Sequence, residues 1–322
     1  MLSKIDTWAP SRIEGLSKFS NENISYGDFR RTLRPKYLKN SFPIFSSHVY
    51  LLMCIFLITK INTPGITQVP NIVILSLIGG LIAHRILLLV HEGAHFHLAK
   101  NRKFNDLLAN TFCGVFVGTE VKTYRKIHNK HHQDLGSSSD PENSYAEEFD
   151  FTWILTAFSG LKVLRTLKKR ENLESSRMQM ITMLVSVFIH LGFMITMAKL
   201  QFINVTIFWF LSFFVVMPGI AALRNVLEHR FEMPSEANAQ LWGTLSQQMR
   251  VTTRLFTKRR ISRLFGSVGF ERHLLHHWDP SIPAVNLSEV HQFILTTELK
   301  EMLENLPTTY YEAFRKLLRK NV

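Results

Sequence analysis

The stretch PNIVILSLIGGLIAHRILLLVHEGAH, residues 70–95, runs without a break from an apolar segment into a pair of histidines. Between positions 70 and 90 Arg85 is the one Lys, Arg, Asp or Glu. The segment is thus long and apolar enough to cross a bilayer, whose ~30 Å hydrocarbon core needs about 20 residues of helix. His91 and His95 stand four apart, so they share one face of that helix where it leaves the membrane. An apolar helix that ends in paired imidazoles predicts chemistry at one membrane surface.

Three further stretches qualify as spans: residues 43–59, 180–198 and 202–223. A Pro/Gly-containing turn at 60–69 joins the first two spans, and Lys199, Leu200 and Gln201 join the last two, which predicts two helical hairpins. The composition agrees: of 322 residues 46% are hydrophobic and 20% charged, with the apolar residues in long blocks. Lys and Arg number eight before the first span, thirteen between the second and third, and fourteen after the fourth, which is 35 of the 38. The positive-inside rule then puts both termini and the long middle segment in the cytosol. It also accounts for the net charge of +13, so no nucleic-acid partner is expected, and docking of an acidic carrier protein on the basic segments is the weaker reading. The expected fold is an all-α integral membrane protein with four transmembrane helices in two hairpins and a cytosolic histidine-rich cap.

The expected organisation is a cytosolic basic N-terminal segment at 1–42, a membrane domain carrying the histidines at 43–290, and a cytosolic amphipathic tail at 291–322. The first 42 residues hold no apolar core of signal-peptide length, so insertion is expected to depend on the first span. Residues 105–121 and 151–167 are too mixed to cross and are expected as interfacial amphipathic helices. The blocks 256–264 and 311–320 read as basic and amphipathic.

Eight of the 14 histidines fall in three clusters: His91 and His95; His128, His131 and His132; His273, His276 and His277. A ninth, His229, follows Glu228 after the fourth span. An even number of spans separates the clusters, so all nine are expected on one membrane side. In each HxxHH cluster the first histidine neighbours both others on a helix, while the adjacent pair diverges by about 100°. One cluster can therefore feed two metals. Cys54 and Cys113 show no metal or disulfide spacing and read as packing residues, which leaves nitrogen and oxygen as donors.

These residues resemble the membrane fatty acid desaturase and hydroxylase superfamily, whose three histidine boxes HxxxH, HxxHH and HxxHH all match in order. The flanks are similar to family signatures too: Asn101 to Asp106 after box one, Tyr124 and Arg125 before box two, Asp140 and Pro141 after it, and Pro280 to Pro283 after box three. The resemblance covers roughly residues 70–290. It implies a non-haem di-iron centre using O₂, with His91, His95, His128, His131, His132, His229, His273, His276 and His277 as ligands. It also implies a fatty acyl substrate and a separate ferredoxin- or cytochrome b5-type electron donor, since no such domain is recognisable in the chain. Glu92, Asp140 and Glu228 are expected to orient ligating imidazoles, and Asn225, one turn before His229, to stand behind them or bridge through water. Glu92 stands where many members have Asp, and neither a Gln opening box three nor a fused cytochrome b5 segment is present, which disfavours the front-end desaturases.

Iron can supply the oxidant that an unactivated C–H bond requires, where zinc cannot cycle electrons. Introduction of a double bond is the leading reading, and a hydroxylase or ketolase of a fatty or terpenoid chain is the alternative on the same ligands. His91 to His95 is also HExxH, the motif of zinc metalloproteases. That reading leaves both HxxHH clusters unexplained. A metal transporter would need ligands within the bilayer, whereas the last two spans hold only His190. His97, six residues after His91, is expected off the ligand face. His84 is evenly balanced between a functional and a structural role, and His48, His190 and His291 are read as structural.

Overall fold

The computed structural model describes residues 16–60, 68–135, 139–163, 165, 176–229, 253–258, 260 and 262–319. These are mostly helical, and the described residues contain two isolated β-bridges but no strand. Four helices are long and apolar enough to cross a membrane: α2 (Tyr37–Thr59), α3 (Val69–Ala94), α8 (Arg177–Lys199) and the run Ile203–His229. The last consists of α9 (Ile203–Phe210), a π-helical turn (Leu211–Val216) and α10 (Met217–His229). At 1.5 Å per residue the shortest of these, 23 residues, reaches about 35 Å, more than a hydrocarbon core. Between them lie α4 (Arg102–Ala109), a π-helical turn (Asn110–Gly114), α5 (Val115–Val117), α6 (Val121–Asp134) and α7 (Phe151–Phe158). After α10 come α11 (Ser262–Phe265), α12 (His273–Trp278), α13 (Leu287–Ile294), α14 (Lys300–Asn305) and α15 (Tyr310–Arg319).

The helices extend beyond the stretches read from hydropathy. α2 begins six residues before Pro43, which lies inside it, and α10 continues six residues past Leu223. Apolarity marks where lipid begins, but a helix ends only where its backbone groups find other partners. Parts of the turn at 60–69 and of the segments 151–167 and 256–264 lie outside the described residues.

The chain divides into two compact units. One comprises residues 41–127 and 148–224, which hold most of the four long helices. There α3 packs against α9 and the π-turn that follows it, and α8 packs against α9 and α5. Gly79 and Gly80 permit the first contact, because a Cβ on either would overlap Ser212 and Phe208 or Val216. Small residues bring apolar helices close enough for dispersion to hold them where no hydrophobic effect operates. His190 ties α8, α9 and α5 together: its Nδ1 accepts from Trp209 Nε1 at 2.9 Å, and its Nε2 donates to the Phe116 carbonyl at 2.9 Å. It serves as a neutral structural hydrogen-bonding group. Gly118, at φ 67°, ends α5 in the left-handed region that favours glycine.

The second unit comprises residues 16–40, 128–147 and 225–322 within the described ranges. α1 (Tyr26–Thr32) packs on α13, with the Phe29 and Phe293 rings stacked 4.1 Å apart. Arg30 Nε pairs with buried Asp279 at 2.6 Å, and the Tyr26 hydroxyl donates to the same carboxylate at 3.2 Å. This anchors the chain directly after α12. Leu274, Leu275 and Trp278 of α12 are buried together with Leu287, Val290 and Ile294 of α13.

Candidate metal centre

Seven of the nine candidate ligands belong to the second unit. α6 carries His128, His131 and His132; α12 carries His273, His276 and His277; His229 is the last residue of α10. All seven are buried. The Nε2 atom of His132 lies 2.9 Å from His128 Nε2 and 3.2 Å from His276 Nε2, while His273 Nε2 lies 2.7 Å from His277 Nε2. These separations suit adjacent ligands of a shared cation, since imidazoles at about 2.1 Å and right angles place their nitrogens about 3 Å apart. His131, His229 and His277 form a second set whose ligand atoms all lie within 4.8 Å of one another. The adjacent histidines divide as helical geometry requires, His132 and His276 to one set and His131 and His277 to the other.

The outward nitrogens of four of these rings face oxygen atoms. His131 Nδ1 lies 2.9 and 3.0 Å from the two oxygens of buried Asp140. His273 Nδ1 lies 3.0 Å from Glu228 Oε2, and Glu228 Oε1 accepts from the Tyr310 hydroxyl at 2.9 Å. His229 Nδ1 lies 3.4 Å from Thr253 Oγ1, and His128 Nδ1 3.6 Å from Glu142 Oε2. A proton fixed on Nδ1 leaves the Nε2 lone pair facing inward, the arrangement that raises an imidazole's basicity toward a metal. Burial lowers His128 to about 4 against the opposing pull of Glu142. Burial, reinforced by neighbouring imidazoles, holds His132 and His277 well below the ordinary histidine range. The three rings are therefore neutral at pH 7 and able to donate a lone pair.

Box one belongs to the first unit. His91 lies in the last turn of α3 and His95 at its C-cap, both buried, with ring centroids 4.8 Å apart. Glu92, fully buried, lies 3.6 Å from His91 Nδ1 and 3.3 Å from His97 Nδ1. His97, expected off the ligand face, falls in no set of clustered ligand atoms among the described residues, although α3 ends at Ala94 before reaching it. Phe96, at φ 60°, turns the chain so that the His97 ring comes 5.5 Å from that of His95. Nothing in the sequence marks this, because a bulky residue rarely adopts positive φ.

Arg125, three residues before His128 on α6, closes the end of α3. Its Nε donates to Ala94 O at 2.7 Å and its Nη2 to Gly93 O at 3.0 Å, while Asp106 pairs with it at 2.5 Å and Phe96 lies under it at 3.7 Å. A cation on the last carbonyls of a helix satisfies groups that have no partner within the helix and opposes the helix dipole. Asn105 assists, donating to Gly93 O at 2.8 Å and accepting from Leu98 N at 3.0 Å. α6 is capped at its start by Glu120, which accepts from Thr123 N at 2.7 Å. The residues that flank the boxes thus hold the helix ends that carry the histidines.

Asn225 lies one turn before His229 on α10. Its amide reaches Ser144 Oγ at 3.4 Å and Glu142 O at 3.5 Å, bracing the loop after box two. Glu142, Thr253 and Tyr310 went unnoticed in the sequence because no spacing links them to a histidine; the motif neighbourhood of Asp140 was the available signal for Glu142. His84 is buried within α3.

Buried imidazoles, two of them resting on carboxylates and with no thiolate among them, form a donor set that suits iron as well as other first-row metals. The family model described as fatty acid desaturase matches residues 68–310, about three quarters of the chain. A comparison with curated proteins gave no match. The chain belongs to the fatty acid desaturase family.

Proposed function

We propose that the protein is an O₂-dependent membrane acyl desaturase that introduces a double bond into a fatty acyl chain, with two irons held by the nine histidines. The observation that carries this reading is the two sets of buried imidazoles, with the outer nitrogens of His131, His273 and His229 facing Asp140, Glu228 and Thr253. His91 and His95 of box one supply the remaining ligands. The metal pair, when bound, supplies O₂ activation for removal of hydrogen from an unactivated methylene. The chain's own part is to keep protons on the Nδ1 atoms and the inward lone pairs free, and to fix each ring by burial. Glu92 is enclosed by His91 and His97, which suits a carboxylate that orients imidazoles better than the water-facing general base of a protease.

In this reading the four long helices form two hairpins, with both termini and the histidine-rich cap on the cytosolic side, as the basic residues prescribe. The enzyme works as a multi-pass protein at residues 43–290, flanked by the basic segment 1–42 and the tail 291–322. Electrons come from a separate ferredoxin- or cytochrome b5-type protein.

Expression in a host of defined lipid content, followed by mass analysis of the acyl chains, tests the reaction. New double bonds are expected; new oxygens instead would reassign the enzyme as a hydroxylase or ketolase. Metal analysis should give two irons per chain, whereas one zinc would favour the protease reading. His131→Ala should abolish product and lower iron content, and full activity in that variant would sink the di-iron proposal.

A further inference from the structure

Arg85 is a cation on the lipid-facing side of a span. Ile74, Leu77 and Ile78 of α3 are exposed apolar residues, and steps of three to four residues carry their stripe through half-buried Leu81 to half-buried Arg85. Its partners are on α2: Arg85 Nη2 donates to Ser46 Oγ at 3.2 Å, and the guanidinium carbon lies 6.0 Å from the centre of the half-exposed Tyr50 ring. Arg85 Nε is buried with no acceptor, and among the described residues no carboxylate is within ion-pair reach of the guanidinium.

Arginine cannot shed its charge, and a lone charge facing hydrocarbon costs several kcal/mol even by the lower scales. The guanidinium offers five donors in a planar fork, of which Ser46 takes one, so an edge remains for a two-point acceptor. Depth selects the acceptor. Ser46 lies three residues, about 5 Å of helix, inside the apolar run that opens at Pro43, and Lys39 stands on the polar side of that boundary. The phosphates of a leaflet lie at that edge, within reach of a long side chain.

We propose that Arg85, with Ser46 and Tyr50, binds the phosphate of a glycerophospholipid against α2 and α3. The Nη1 and Nη2 edge, which unlike Nε is not enclosed, grips two phosphate oxygens, Ser46 holds Nη2 from its other side, and Tyr50 covers the fork. The lipid is either resident or the acyl substrate presented through its own headgroup. The chemistry is the same in both cases, and the site does not depend on the di-iron reading.

The test uses the full chain in bilayer discs of phosphatidylglycerol, phosphatidylcholine or a phosphate-free glucosyl diacylglycerol with matched acyl chains. After transfer to detergent, native mass spectrometry counts retained lipid. The expected result is one retained phospholipid, favoured at least tenfold over the glycolipid, lost in Arg85→Gln and partly kept in Arg85→Lys. Equal retention of phospholipid and glycolipid, or undiminished retention in Arg85→Gln, overturns the proposal. Thermal melting guards against misfolding: phosphatidylglycerol should raise the wild-type midpoint relative to glycolipid and leave that of Arg85→Gln unmoved, while the same rise in both overturns it. Deuterated chains on the retained lipid separate the sources. Their appearance in product makes the phospholipid a substrate, and their persistence while another acyl donor turns over makes it resident. Retention reads without iron or turnover, so a failure of the proposed reaction leaves this test intact.

Discussion

Replacement of Asp140 probes how far an outer carboxylate controls the metal. Its side chain is fully buried, lies 2.9 and 3.0 Å from His131 Nδ1 and accepts from Glu142 N at 2.7 Å. Asp140→Ala removes the acceptor of both donors. At about 1–3 kcal/mol for each buried group left unsatisfied, the folded state should lose about 2–4 kcal/mol, allowing for partial relaxation. The His131 ring is then free to rotate and to carry its proton on Nε2, which blocks ligation. Loss of such a partner typically lowers metal affinity about 10–100-fold, or about 1.4–2.8 kcal/mol. Asp140→Asn keeps an acceptor but loses the charge, so its loss should fall near the tenfold end. The assay is iron titration of metal-free protein in detergent against a competing chelator, with circular dichroism to confirm folding. On the proposed loading of two irons, Asp140→Ala should release one at a chelator concentration that leaves the wild type loaded. A folded variant that holds both irons within threefold of wild-type affinity would refute the reasoning.

Tyr310→Phe keeps the 3.7 Å stack on Phe256 but removes the hydroxyl that Glu228 accepts, so the melting midpoint should fall by the equivalent of about 1–2 kcal/mol; an unchanged midpoint counts against that bond. His190→Leu strips Trp209 of its acceptor and the Phe116 carbonyl of its donor, and should cost about 1–3 kcal/mol in a bilayer unfolding assay without changing iron content. His291 is lowered to about 4 by burial, aided by the charge of Arg272. Its folded pKa lies below the ordinary 6.5, so the stability linked to its neutral form is complete above about 6.5 and declines as pH falls toward 4. His291→Gln should flatten thermal stability across that window, and an identical pH profile in variant and wild type would remove His291 as the cause.

Residues that act through local periodicity were legible in advance. The spans could be read because about 20 apolar residues in a row have few alternatives to a bilayer helix. The division of His131 from His132, and of His276 from His277, follows from 100° of turn per residue. The approach of His97 to Glu92 is not legible in spacing, because the end of α3 is held by Arg125, which is 31 residues from Ala94 in sequence. The contact of Asn225 with the Glu142 loop is not legible in spacing, since side-chain direction is decided by what lies across the gap.

By itself the sequence determined the spans, their apolar extent and the inventory of imidazoles, because hydrophobicity and helical spacing operate within a single segment. Only the tertiary structure decided which nitrogen of His131, His229 and His273 faces inward. That choice rests on Asp140, Glu228, Thr253 and Tyr310, which come from other segments of the chain, and a ring's tautomer is set by whatever accepts its proton.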